Sequence, residues 1–204
     1  MTPYSWYVPA VCGYAETKET TMTWKSFHNR GEILRAVIAT ADARRDGILP
    51  LDVEGVSDTF GDELTLLGAL QLRWHTRLAG RIERELMHQP LDLEQSVIDA
   101  WRATADELPG IRAIVDHYRS EPQDAAMAEA LAKSIGKEHI LLAIMAGQAN
   151  VHDTPGAEAA RRAGARIEER ARATRTSRAT TVADLGLPAA RGGLLERLKA
   201  ALAA

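Results

Sequence analysis

Apolar residues recur every three or four positions along most of the chain, and that spacing predicts a series of amphipathic helices. The first is expected after Asn29, which forms a capping pair with Glu32. Ile33, Leu34, Val37, Ile38 and Ala41 follow on one face, and Asp46-Gly47 closes the helix. Asp52 is placed to cap a short helix reaching Phe60. The longest helix is expected from Asp62 to Met87, with Leu64, Leu67, Leu70, Trp74, Leu78, Ile82 and Leu86 in a single stripe and Pro90 as its stop. Asp92 with Gln95 opens the next, whose buried side carries Leu93, Val97, Trp101, Ala105 and Leu108. Pro109 begins a short helix holding Ile111, Ile114, Val115 and Tyr118. Ser120, Glu121 and Pro122 introduce a long segment to about Gln148, striped by Met127, Leu131, Ile135, Leu142 and Met145, with Gly136 as a potential kink.

The pattern changes at both ends. Residues 1–21 hold Tyr4, Trp6, Tyr7 and Tyr14 with no sustained period, and are expected to be a flexible N-terminal extension or sequence upstream of the true start. After a loop at 150–156, a helix from Pro155 to about Arg175 has only Ile167 besides alanines as apolar residues. It is expected to project into solvent or to be ordered by a partner. Residues 176–193 read as a linker, and the last dozen residues form a short amphipathic helix with Leu194, Leu195, Leu198 and Leu202 on one face. The expected fold class is therefore all-α: a helical bundle over 22–150 and a basic helical C-terminal tail over 151–204.

Composition supports helix. Alanine supplies 35 of the 204 residues, while the strand-favouring Phe and Tyr number 2 and 4. Arginine outnumbers lysine 20 to 5, a balance typical of a GC-rich bacterial genome. A hydrophobic fraction of 46% excludes a wholly disordered chain, and Cys12 alone excludes a disulfide scaffold. No basic n-region precedes Lys18 and no apolar run approaches the ~20 residues of a membrane span, so a cytoplasmic location without membrane contact is expected. Charge is unevenly spread. Residues 154–204 carry ten basic and five acidic side chains, whereas residues 1–153 carry fifteen basic and twenty-three acidic.

Candidate chemistry is sparse. Glu85 and His88 make one Glu-x-x-His, but a di-iron bundle needs two such pairs, and His88 lies at a frayed helix end. His152-Asp153, with His117 or His139 upstream and Asp184 downstream, has the residue types of a helical metal-dependent hydrolase. The doublet sits in a loop, however, and six histidines make one such pairing unsurprising. His75 beside Trp74 is expected to be a core-edge imidazole hydrogen-bonded to a neighbouring helix, and Asp116-His117-Tyr118 and Glu138-His139 to be structural. Nucleophile-elbow, phosphate-loop and dinucleotide signatures are absent from the sequence. Arg161, Arg162, Arg166 and Arg170 could contact a polyanion, but Glu158, Glu168 and Glu169 interrupt them, and Glu158–Arg162 and Glu168–Arg172 have the spacing of helix-stabilising pairs.

The leading expectation is a non-enzymatic regulatory or adaptor protein that associates with another protein or with itself, without metal or cofactor. Its contact residues are expected at Leu194, Leu195, Leu198 and Leu202. A metal-dependent all-α enzyme and a nucleic-acid-binding regulator acting through the Arg-rich helix are the alternatives.

Overall fold

A computed structural model describes residues 24–88, 90–150 and 157–184, with side chains placed between residues 29 and 173 of those ranges. Among the described residues there are seven helices and no strand: α1 Trp24–Arg44, α2 Val56–Phe60, α3 Glu63–Met87, α4 Leu93–Glu107, α5 Pro109–Ser120, α6 Ala125–Met145 and α7 Ala157–Asp184. The all-α bundle is therefore present. None of the described helices is long and apolar enough to cross a membrane.

Three aspartates start three of the helices. Asp62 Oδ1 accepts from Thr65 N at 2.7 Å, Asp92 Oδ1 from Gln95 N at 2.9 Å, and Asp124 Oδ1 from Met127 N at 2.7 Å. Each such cap is worth about 1 kcal/mol because it satisfies an amide that no helical carbonyl reaches. The α4–α5 junction is tighter. Leu108 ends one helix and Pro109 starts the next, where its missing N–H would have no helical acceptor anyway. The Gly110 amide then donates to Asp42 Oδ1 of α1 at 2.7 Å. A side chain at Gly110 would meet the Ala41 backbone at 2.3 Å, so only glycine lets α5 butt against α1 so closely.

One core joins the helices, with Trp74, Leu78 and Ile82 of α3, Trp101 of α4, Ile111 and Ile114 of α5 and Leu142 of α6 almost fully buried. The expected stripes of α3, α4 and α5 face it, except that Leu64 and Leu93, in the first turns of α3 and α4, are exposed. At the ends the structure differs from the sequence reading. The first helix starts at Trp24, so Asn29 lies inside it and does not cap it, and it ends at Arg44, before Asp46-Gly47. Asp52 does not cap α2; Gly55 precedes that helix, and Asp52 instead pairs with Arg44 at 2.5 Å.

The largest correction is α7. Over residues 157–173 it is neither solvated nor projecting: Ala160, Ala163, Ile167 and Ala171 are buried, and the helix packs chiefly on α6 and then on α4. Ala160 packs with Ala143, and Gly164 lies against the His139 backbone, so α6 and α7 run antiparallel. A Cβ at Gly164 would fall 1.8 Å from the His139 carbonyl oxygen. Small residues allow the two backbones to approach where larger apolar side chains would hold them apart. The helix also continues to Asp184, through the first half of the expected linker.

Candidate functional site

Asp116, Glu138, His139, Glu168 and Arg172, which the sequence marks as structural or helix-stabilising, converge on one buried polar cluster. Its centre is Glu138 of α6, 4% exposed. Glu138 Oε2 accepts from Trp74 Nε1 at 3.1 Å, and Oε1 accepts from Trp101 Nε1 at 3.0 Å. The two indoles sit edge to face, 5.8 Å apart at 75°. Arg112 of α5, 3% exposed, approaches Glu138 at 3.9 Å and lies over Trp74 with its guanidinium 5.0 Å from the ring centre. A buried carboxylate is costly unless hydrogen-bonded and charge-compensated; here two donors and a cation from three other helices do both.

The cluster extends towards α7. Arg112 pairs with Asp116 at 2.7 Å, and Arg172 joins Asp116 at 2.7 Å to Glu168 at 2.7 Å while stacking 5.1 Å from the Trp101 ring centre. Glu168 also hydrogen-bonds His139 Nε2 at 2.7 Å and meets Arg119 at 3.2 Å. Burial works against the charge on Glu168. The hydrogen bond from His139 and the field of Arg172 and Arg112 outweigh it and hold the carboxyl far below the usual range. Asp116 is likewise lowered: burial opposes its charge, and Arg172 and Arg112 overcome that. The expected Glu168–Arg172 pair exists, but inside an interface and not on a solvated face.

The remaining candidates fall elsewhere. His75 donates to or accepts from Ser134 Oγ of α6 at 2.9 Å, as expected of a core-edge imidazole, and burial pushes it below the usual histidine value despite the pull of Glu138. His117 packs edge to face on Tyr118. His88 is an exposed C-cap. Among the described residues no group of three or more His, Cys, Asp or Glu converges as metal ligands would. Arg161 and Arg162 pair with Glu158, Arg170 pairs with Glu94, and Arg166 is exposed. His152-Asp153 and Leu194, Leu195, Leu198 and Leu202 lie outside the described residues.

What the sequence did not signal is the outer face of α3. Two grooves flank it and share Gly68 and Leu72. The first, about 530 Å³, runs between α3 and α1 past Arg30, Gly31, Leu34, Ala69 and Arg73. The second, about 500 Å³, runs between α3 and α6 past His75, Ala130, Lys133, Lys137 and Leu141. Leu72 stands on the ridge between them, 69% exposed. Gly31 and Gly68 sit inside helices, where glycine costs about 1 kcal/mol relative to alanine. A Cβ at either would meet nothing within 4 Å, so packing within the described chain does not require these glycines. Their effect is to deepen a surface hollow. The charged residues along the grooves are Arg30, Arg73, Lys133 and Lys137, and among the described residues no carboxylate lines either groove.

Compared with known proteins, the chain matches no family model, no curated protein and no solved structure.

Proposed function

We propose that this chain is a regulatory or adaptor module that works by association, through the grooves on either side of α3. The observation that carries the reading is the Leu72–Gly68 ridge: an exposed leucine beside an unfilled hollow, on a 25-residue helix of the core. Covering Leu72, 69% exposed, would contribute about 1–2 kcal/mol, some two-thirds of the usual gain for burying such a side chain from full exposure. Contiguous exposed apolar surface rimmed by polar groups marks a site of protein, membrane or ligand contact, and here the leucine is continuous with two hollows.

The alternatives fit the geometry less well. The carboxylates and His139 that an enzyme would need are engaged with arginines, indoles and one another, and none of them lines either of the two α3 grooves. A nucleic-acid site on α7 would need a row of cations facing phosphate, yet Arg172 is held by Asp116 and Glu168, Arg170 by Glu94, and Glu158 stands between Arg161 and Arg162. The terminal leucine face stays in this reading as a second surface for association.

A photoreactive amino acid at position 72, introduced in the cells that make the protein, tests the reading. A discrete adduct is expected from position 72, lost when Gly68→Leu fills the hollow. No adduct, or the same adducts from the fully exposed position 91, would refute it.

A further inference from the structure

The charge of the α3 face is opposite to that of the body that carries it. Residues 1–153 hold twenty-three acidic and fifteen basic side chains, yet the charged groups along both grooves are all basic. They stand on three helices: Arg30 on α1, Arg73 on α3, and Lys133 and Lys137 on α6. Arg30 is held at the rim, donating to the Thr59 carbonyl at 2.9 Å and stacking 4.5 Å over Phe60. Lys133 has Glu129 at 3.9 Å, but both are over 70% exposed, so water screens that pair.

Apolar hollows with cations on both outer edges suit one class of occupant. From this geometry we infer that the α3 face binds an acidic amphipathic helix of a partner protein, an assignment that rests on the association reading above. The lining of α3 runs from Thr65 to Thr76, and at 1.5 Å per residue that is about 17 Å, the length of a three-turn helix. The apolar side of the partner covers Leu72 and enters the hollows at Gly31 and Gly68. Its carboxylates then face Arg73 on one flank and Lys133 and Lys137 on the other. This is helix-in-groove recognition, with apolar contacts giving affinity and the flanking charges giving orientation and encounter rate. The chain's own C-terminal segment is a poor occupant, since Arg191, Arg197 and Lys199 outweigh Glu196 and repeat the sign of the groove.

The test uses the full chain and a fluorescein-labelled peptide of about 14 residues, four turns of helix. The peptide carries leucines at i, i+3, i+4 and i+7 spacing and glutamates elsewhere. Its counterpart has lysine for every glutamate, and a single-stranded oligonucleotide of equal length is the third probe. Anisotropy should show saturable binding of the acidic peptide, at least tenfold tighter than the lysine peptide, with the gap narrowing as salt rises. Arg73→Glu with Lys137→Glu should weaken it at least tenfold. Gly68→Leu should do the same while its Tm stays at or above that of the parent, because the added side chain enters open space. Equal binding of both peptides, preference for the oligonucleotide, or no loss in the two variants would overturn the assignment. A position-72 adduct in cells without acidic-peptide binding would remove the acidic helix and leave association standing. Absence of both would remove the two together.

Discussion

Glu138 shows what a single residue can decide. It occupies a position of the α6 stripe, between Ile135 and Leu142, where the helical period calls for an apolar side chain. A carboxylate in that place was the legible sign of a buried polar centre. Its partners were not legible, because Trp74, Trp101 and Arg112 come from three other helices and only tertiary packing brings them together. Removing it leaves Arg112 buried without one of its counter-charges. Asp116 still faces Arg112 at 2.7 Å, so Glu138→Ala is expected to cost about 3 kcal/mol in urea unfolding, the lower end for breaking a buried pair. Adding Arg112→Met should return at least about 1 kcal/mol of that loss, since charge and counter-charge then leave together. Additive losses in the double variant would show that the pair is not coupled.

Among the elements, α3, α4 and α5 were readable almost to their ends, because strong apolar stripes coincide with Asp62, Asp92 and Pro109 as start signals. The place of α7 was hidden. A stripe of alanines carries little hydrophobic signal, and the close approach that lets alanine pack depends on Gly164 lying against the His139 backbone. Its ion pairs, written at i, i+4 spacing, look the same in sequence whether they face water or Trp101. Gly164→Val should therefore lift α7 from α6. Amide exchange in α7 and along the exposed side of α6 is expected to accelerate by at least tenfold, while α3 amides keep more of their protection. Unchanged exchange in α7 would mean that the helix is not seated as described.

For the whole molecule, fold class and uneven charge were legible in the sequence, but not the grooves, which consist of what three helices leave uncovered around Gly68. The buried network sets how stability responds to acid. His75 titrates below its ordinary value of 6.5, so as pH falls past 6.5 the unfolded chain takes up that proton first and stability begins to decline. Glu168 and Asp116 lie below their ordinary 4.5 and 3.8, so their contribution is complete above those values and is lost as pH falls towards their folded-state values. Thermal unfolding from pH 8 to pH 2 should thus show a shallow fall below 6.5 and a steep one below 4.5. Glu168→Gln is expected to lower Tm at neutral pH and flatten only the steep limb; a parallel curve would assign the acid sensitivity elsewhere. The paired indoles have a further consequence. Two rings 5.8 Å apart and inclined at 75° couple their transition dipoles, so their absorption acquires a handedness that neither ring has alone. The handed signal lasts as long as core packing and the two hydrogen bonds to Glu138 keep the rings in that arrangement, which gives the protein a built-in optical gauge of the order at its centre.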